Sequence, residues 1–467
     1  MKIYNTLTGS KEMFKPIKED IVSIYVCGST VYNYIHIGNV RPMVVFDVLR
    51  RYLLYRGYSV KFVNNFTDVD DKIINQANEE NTEIEYITDK YINAYLEDAK
   101  ALNIYEEHTI HPKATEYIEQ MIEFIKGLED KGAAYNVDGN VYFRVKCAKD
   151  YGKLSKKNIE DLQAGARVDI VEEKENPLDF AFWKKKKEGE PYWESPWGEG
   201  RPGWHIECSV MTKSLLGENI DIHAGGEDLK FPHHENEIAQ SETLSEKPFA
   251  NYWMHNSMVN VDNEKMSKSK GNFFTVRDVI KEYSPEVIRL WLLSVHYRNP
   301  ISFSREVMNQ TKNSLDRMYN FKENLERLLI SNETSENQKE NEEIEKNLFK
   351  YKEEFISSME DDLNTADAVS VIYEMIRYIN SNLNENSSKH IIQKSSDLFN
   401  ELTGILGIVY KTEIKEDEKI EKLITERESA RKNKDYKRAD EIREELKSMN
   451  VAAKRRLSEC ASSIADS

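Results

Sequence analysis

The chain has 467 residues, a formal net charge of −17, 39% hydrophobic and 31% charged residues, and four cysteines. Its length allows roughly two to four domains with ample core, and its acidity argues against a nonspecific nucleic-acid binder, DNA included. No run of about 18 apolar residues speaks for a membrane span. Four cysteines do not make a disulfide framework, and Cys147 and Cys460 read most simply as free thiols. The first residues, Met1 to Asn5, lack the apolar stretch of a signal peptide, so the expected location is the cytoplasm.

Taken in chain order, the apolar run Ile21–Val26 predicts a short buried strand, ended by the turn chemistry of Cys27-Gly28-Ser29. His36-Ile37-Gly38-Asn39 then leads into a helix over Val44–Tyr55, where Val44, Val45, Val48, Leu49 and Leu53 keep helical spacing. A strand, a polar loop and a helix start make a phosphate site, since backbone N–H groups and the positive end of the helix dipole face the anion. A second strand over Ser59–Asn64 delivers Asn65–Lys72 to the same edge, and a helix follows over Tyr86–Leu102. This alternation predicts an α/β fold with a doubly wound parallel sheet and ligands at the carboxyl ends of its strands.

From about Lys113 the pattern changes to one amphipathic helix (Ala114–Asp130), short alternating segments such as Val141–Val145, and a charged stretch. Its Lys184–Lys187 run reads as a solvated turn. This span looks like an insertion. The sheet pattern resumes at Trp204, with a strand over Ile220–His223 and Gly225-Gly226 able to let backbone approach a ligand closely. Lys265-Met266-Ser267-Lys268-Ser269 forms a basic motif, and Gly271-Asn272 after it suggests a loop. Ser284-Pro285 offers an N-cap and a proline at N1 for a helix over Glu286–Val295. A helix over Ser304–Leu329, a polar loop over Ser331–Glu343, and helices over Ile344–Met359, Ala366–Leu383 and Ile391–Leu402 predict a helical bundle. The tail from Glu413 predicts two short helices, Lys419–Lys432 and Tyr436–Ser448. Its Arg427, Arg431, Lys432, Lys434, Lys437, Arg438 and Arg443 fit a solvated hairpin with i,i+4 pairs or a nucleic-acid surface equally well.

Cys27, Cys208, His233, His234, Glu235 and Glu237 are the candidate metal ligands. On a helix, His233 and Glu237 share a face at four residues apart, and His234 and Glu237 at three. Two thiolates, an imidazole and a carboxylate suit zinc. A packed core cysteine and a polar His-His-Glu surface are the plainer reading of the same spacing.

The loop at His36–Asn39 and the motif Lys265–Ser269 together resemble the nucleotide site of class I aminoacyl-tRNA synthetases. Six blocks resemble the cysteinyl-tRNA synthetase family more closely: Tyr25–Asn39, Asn65–Lys72, Ser195–Gly198, Gly200–Ser209, His223–Glu237 and the lysine motif itself. The likeness runs to about Asn450. It implies a Rossmann-like doubly wound sheet with an insertion, followed by an all-helical C-terminal region. The implied domains are 1–112 and 201–250 (two halves of the catalytic domain), 113–200 (inserted, for the tRNA acceptor end), 251–310 (connecting, with the lysine motif), 311–410 (bundle) and 411–467 (anticodon side).

The resemblance also implies ATP-dependent ligation of L-cysteine to tRNA(Cys) through an adenylate. It carries one Zn²⁺ onto Cys27, Cys208, His233 and Glu237, a cysteine pocket onto Cys27, Gly28, Thr67, Trp204 and His223, and ATP contacts onto His36, Gly38, Asn39, Gly225, Gly226, Asp228 and Lys268. His36 and Lys268 would be catalytic, with Lys265 assisting, and Mg²⁺ would accompany ATP. A borderline-soft cation that takes sulfur directly explains how cysteine is told from serine, because size alone discriminates by only about 1–3 kcal/mol. Three features depart from the family pattern: Asn39 where the class has a second histidine, Ser29 where proline is common, and Val451–Ser467, which lack the usual ending and leave anticodon reading open. The rival readings are a ligase that passes activated cysteine to an amino sugar, and an inactive paralogue with a binding role.

Overall fold

A computed structural model describes residues 1–157, 174–262, 264–265, 273–331, 338–410, 423, 426–427, 430–431 and 435–448. The chain opens with an antiparallel hairpin, β1 (Lys2–Asn5) and β2 (Ser10–Met13). The predicted strands follow as β3 (Ile21–Val26) and β4 (Ser59–Asn64), with the helix Ile37–Tyr55 crossing between them. That helix begins seven residues before the apolar run that announced it, because His36 caps it. A short β5 (Thr109–Ile110) follows the helix Ile84–Ala101. The helix Asp71–Glu80 was not anticipated; Asp70 caps it by accepting from Lys72 N–H at 3.0 Å.

The insertion contributes an antiparallel sheet in the order β6 (Ala134–Val137), β7 (Asn140–Phe143), β8 (Phe180–Lys185), β9 (Gly200–Pro202). Lys184 lies at the end of β8 and pairs with Asp71 at 2.8 Å, while Lys186 pairs with Glu199 at 2.9 Å. The main fold then continues with the helix Trp204–Leu215, β10 (Ile220–Gly226), the helix His233–Ser245 and β11 (Ala250–Asn256). The central sheet is β11-β10-β3-β4-β5, with every neighbouring pair parallel. This is the doubly wound architecture the alternation predicts. A small sheet of β12 (Val259–Val261), β13 (Glu264–Lys265) and β14 (Ile301–Phe303) stands beyond it.

Strand periodicity sorts the core into two halves. Ile24 and Val26 pack with the helix Ile37–Tyr55 and the bundle in one apolar cluster. Tyr25, Cys27 and Val63 face the other way, into a cluster built from the insertion and the helices Trp204–Leu215 and His233–Ser245. Bundle helices Arg305–Ser331, Gln338–Glu360, Thr365–Asn382 and Lys389–Leu406 complete the unit Met1–Val409. The expected loop Ser331–Glu343 is therefore shorter, since residues 338–343 are helical. Buried Arg289 joins the bundle to the sheet side, donating to Leu406 O at 2.8 Å and Leu102 O at 3.1 Å and pairing with Asp47.

The second unit is Tyr410–Ser467. Its helix Tyr436–Ser448 has the predicted bounds. Arg438 pairs with Glu426 at 2.9 Å and Glu441 at 3.4 Å, and Arg443 with Asp440 at 3.1 Å. Lys432, Lys434, most of the expected helix Lys419–Lys432, Cys460 and Val451–Ser467 lie outside the described residues. Among the described residues no helix is long and apolar enough to cross a membrane.

Candidate functional site

β3 ends at the sheet's carboxyl edge, where Cys27 N–H donates to Ala224 O at 3.0 Å. The next residue has no room for a side chain: a Cβ on Gly28 would lie 1.6 Å from Asn65 O, and Gly28 N–H donates to Asn65 Oδ1 at 2.8 Å. The Asn65–Lys72 segment thus reaches the same edge, as its position after β4 requires. His36 is the N-cap of the helix Ile37–Tyr55. Its Nδ1 accepts from Gly38 N–H at 3.1 Å, and Asn39 Oδ1 accepts from His36 N–H at 3.1 Å. Asn39 therefore closes a capping box, which gives this departure a structural use. Gly38 N–H is committed to His36 in this state.

The chain after the lysine motif is fastened to this loop. Ile37 N–H donates to Phe274 O at 3.1 Å, Val276 N–H to Ile35 O at 3.0 Å, and the His36 and Phe273 rings meet edge to face at 5.2 Å. On the near side of the motif, Lys265 is held in β13 opposite Asn260. Lys268, Gly271 and Asn272 lie outside the described residues. At the end of β10, a Cβ on Gly226 would meet Asp228 Oδ1 at 2.4 Å and one on Gly225 the His234 ring at 3.1 Å. A cleft opens at this edge, lined by Cys27, Gly28, Ser29, Asn39, Asn64, Tyr95 and His111.

On the opposite face of β3 lies a sulfur, imidazole and carboxylate cluster. Cys27, Cys208, His233 and Glu237 offer one ligand atom each, all within 4.8 Å of one another, and Cys27, His223, His234 and Glu237 do the same. The helix His233–Ser245 explains this: His233 Nε2 stands 3.1 Å from Glu237 Oε1, one turn on. Cys27 Sγ is 3.5 Å from Glu237 Oε1, 3.4 Å from His223 Nε2 and 3.3 Å from His234 Nε2. His234 is tied through Nδ1 to His255 at 2.8 Å, whereas His233 meets His205 at 3.0 Å and stacks on Trp204 at 4.3 Å. Trp204 remains 39% exposed, a half-open wall over a buried floor.

Burial pushes the Cys27 thiol well up, and the neighbouring Cys208 and Glu237 add to it; burial likewise raises Cys208 and lowers His233 to about 3. Glu237 Oε2 is buried with the His223 Nε2 beside it at 3.2 Å and, among the described residues, no well-formed hydrogen bond. A divalent cation here would take the thiols as thiolates beside the imidazole and the carboxylate, and the donor set fits zinc.

Behind these, the resemblance had named Thr67, but sequence reasoning passed over its partner Glu207. Thr67 Oγ1 donates to Glu207 Oε2 at 2.7 Å, with both side chains buried. Burial pushes the Glu207 carboxyl well up, and Thr67 partly offsets it. Asn65, His205 and His255 also line the cluster. Asn65 and His205 lie inside quoted blocks and His255 outside them, and nothing in spacing separates the three from ordinary core polar residues.

The family model "tRNA synthetases class I (C) catalytic domain" matches residues 13–313, "DALR domain" matches 354–411, and "Cysteinyl-tRNA ligase anticodon binding domain" matches 415–458. The Finegoldia magna protein named cysteine–tRNA ligase is 62% identical over 456 residues, covering 97% of both chains. The chain belongs to the cysteinyl-tRNA synthetase family. Its Clostridioides difficile relative of the same name is 57% identical over 452 residues, again covering 97% of both. Among solved structures, the Mycobacterium tuberculosis methionyl-tRNA synthetase with methionyl-adenylate aligns at TM-score 0.62 and 14% identity, covering 83% of this chain and 90% of that one. The LeuRS of Agrobacterium radiobacter K84 aligns at 0.64 and 12%, covering 84% and 85%. At such identities the likeness speaks for the fold, and the fold is that of a class I synthetase. This cysteinyl-tRNA synthetase family member thus carries Cys27 and the helix start at His36 at one sheet edge, with Cys208 brought to Cys27 by the helix Trp204–Leu215.

Proposed function

We propose that the chain activates L-cysteine with ATP, releasing pyrophosphate, and passes the cysteinyl group from the adenylate to the terminal adenosine of tRNA(Cys). The observation that carries this reading is the meeting of two chemistries at one sheet edge: a capped helix start suited to phosphate and a thiol-rich quartet suited to a soft cation.

Cys27, Cys208, His233 and Glu237 would hold one Zn²⁺. When bound, the ion supplies a Lewis acid that favours a thiolate over a hydroxyl. We take His233 over His234 on the family resemblance, since both rings are tied through Nδ1, His233 to His205 and His234 to His255. Trp204, His223, Gly28 and Thr67 would shape the pocket around the substrate, with Trp204 covering its open side. The substrate carboxylate then attacks the ATP α-phosphate. His36 and the dipole of its helix would stabilise charge on the phosphate oxygens, with Gly38 and Asn39 shaping the turn that brings them close. Lys268, assisted by Lys265, would bring cationic charge to the leaving pyrophosphate, and Mg²⁺ would travel with the nucleotide. Gly225, Gly226 and Asp228 would border the adenosine.

Residues 1–112 and 201–250 would form the catalytic halves, 113–200 would receive the acceptor end, and 251–310 would carry the lysine arm. Residues 311–410 and 411–467 would hold the body and anticodon side of the tRNA. An amino-sugar acceptor has no use for these last two regions.

Cysteine-dependent pyrophosphate exchange, with zinc stoichiometry measured beside it, tests the reading. Cys208→Ser should lose zinc and exchange together. Unchanged exchange in a zinc-free Cys208→Ser protein would overturn the metal assignment, and cysteine charged onto an amino sugar but not onto tRNA would overturn the acceptor.

A further inference from the structure

Cys27 and Glu237 belong to two quartets at once, one completed by Cys208 and His233, the other by His223 and His234. All four side chains of the second quartet are buried. Ligand atoms about 2.0–2.3 Å from a tetrahedral ion stand about 3.3–3.8 Å from one another. In the second quartet Cys27 Sγ lies 3.4 Å from His223 Nε2, 3.3 Å from His234 Nε2 and 3.5 Å from Glu237 Oε1. His223 Nε2 is 3.2 Å from Glu237 Oε2, and His234 Nε2 is 3.9 Å from Glu237 Oε1. These atoms are already spaced like a coordination shell.

Their surroundings hold them there. His234 is tied through Nδ1 to His255 at 2.8 Å, and His255 through its own Nδ1 to Thr6 Oγ1 at 2.8 Å. Such a tie on one ring nitrogen is what turns the other toward a metal. His223 stacks on Tyr25 at 5.3 Å and lies against Trp253 at 4.6 Å, so packing fixes its ring. Its Nδ1 has no hydrogen-bond partner among the described residues. Glu237 can serve both quartets, with Oε1 at 3.1 Å from His233 Nε2 and Oε2 at 3.2 Å from His223 Nε2.

We propose that Cys27, His223, His234 and Glu237 form a second seat for a borderline divalent ion, weaker than the first and filled only when metal is in excess. It is additional to the Zn²⁺ of the proposed activity and shares Cys27 and Glu237 with it. With both thiols ionised, the thiolates and the carboxylate outweigh one divalent ion, and the negative charge left among buried side chains favours a second cation. Metal pairs about 3.5–4 Å apart are a recurrent arrangement in proteins. One thiolate, two imidazoles and a carboxylate suit Zn²⁺ or Co²⁺, whereas Mg²⁺ and Ca²⁺ want oxygen. Sharing its thiolate and its carboxylate with the first ion is what makes the seat the weaker of the two.

Co²⁺ titrated into the zinc-loaded full chain tests the seat. Zn²⁺ binds such ligands more tightly than Co²⁺, so the first ion stays and the cobalt reports on the second place. One equivalent of Co²⁺ should bind, with the intense visible bands of a four-coordinate ion and a thiolate charge-transfer band, while zinc content holds at one per chain. His234→Gln should weaken that step by about tenfold or more and leave the zinc in place. Crystals of the wild-type chain soaked in Co²⁺ give a result that needs no variant: anomalous scattering at the cobalt edge should peak between the His223 and His234 rings. A single metal step, a cobalt step indifferent to His234→Gln, or a peak away from those rings would overturn the seat. A wild-type chain whose one ion lay between His223 and His234, with none at Cys208, would bear out this seat and overturn the Cys208 quartet instead.

Discussion

Gly28 shows most sharply how one position commits the chain. A methyl group there would overlap the Asn65 carbonyl, which is backbone and cannot rotate away. Gly28→Ala should cost more than about 4 kcal/mol, in the range reserved for severe core damage, and thermal melting would register it as loss of the folded protein. At Lys268 the expectation concerns rate instead. Lys268→Ala should slow adenylate formation by about a hundredfold or more while leaving cysteine affinity intact, as removal of one transition-state charge contact does; single-turnover kinetics beside equilibrium cysteine binding would check both halves. Helical spacing put His233 and Glu237 on one face, and the structure brings them together with Cys27 and Cys208; the choice of these four as ligands came from the family resemblance. Glu207 was not legible, since a carboxyl between Ile206 and Cys208 reveals its tie to Thr67 only when its surroundings are known. His223 and His234 form a second quartet with the same Cys27 and Glu237; spacing offered His234 beside Glu237 but gave no sign of His223.

Among the elements, apolar spacing found the interiors of the long helices and missed their ends, which depend on caps. His36 starts its helix well ahead of the apolar stripe, and the short helix Asp71–Glu80 has too brief a stripe to announce itself. The helix Ile84–Ala101 bears on the lysine arm through Arg277, which donates to Asp98 at 3.1 Å and Glu97 at 2.7 Å. Burial raises Asp98 to about 6, and Arg277 only partly counters it. The folded chain therefore holds the Asp98 proton to higher pH than the unfolded chain does, so this group's contribution to stability falls as pH rises from about 4 to 6. Asp98→Asn, which mimics the protonated form, should raise the melting temperature at pH 7.5 and leave it unchanged near pH 4. An equal shift at both values would contradict the assignment.

For the molecule as a whole, strand and helix alternation was enough to anticipate the parallel sheet, the insertion and the bundle. It could not show that the antiparallel sheet β6-β7-β8-β9 spans the insertion, because those strands are short and β8 and β9 lie far in sequence from the β6-β7 hairpin. The unit Met1–Val409 is compact by itself. A chain ending at Val409 should keep cysteine-dependent pyrophosphate exchange and lose about tenfold or more in tRNA charging efficiency, a modest loss of binding energy. Equal loss of both activities would mean that the last 58 residues support the catalytic unit itself. The alternation of β3 has a kinetic consequence. Ile24 and Val26 belong to the half that carries the phosphate-type helix start, and Tyr25 and Cys27 to the half that carries the sulfur. Nucleotide and amino acid would thus approach from opposite sides of one strand and meet at its tip, so neither has to pass through the other's place, and initial-rate measurements should reveal no compulsory order of addition.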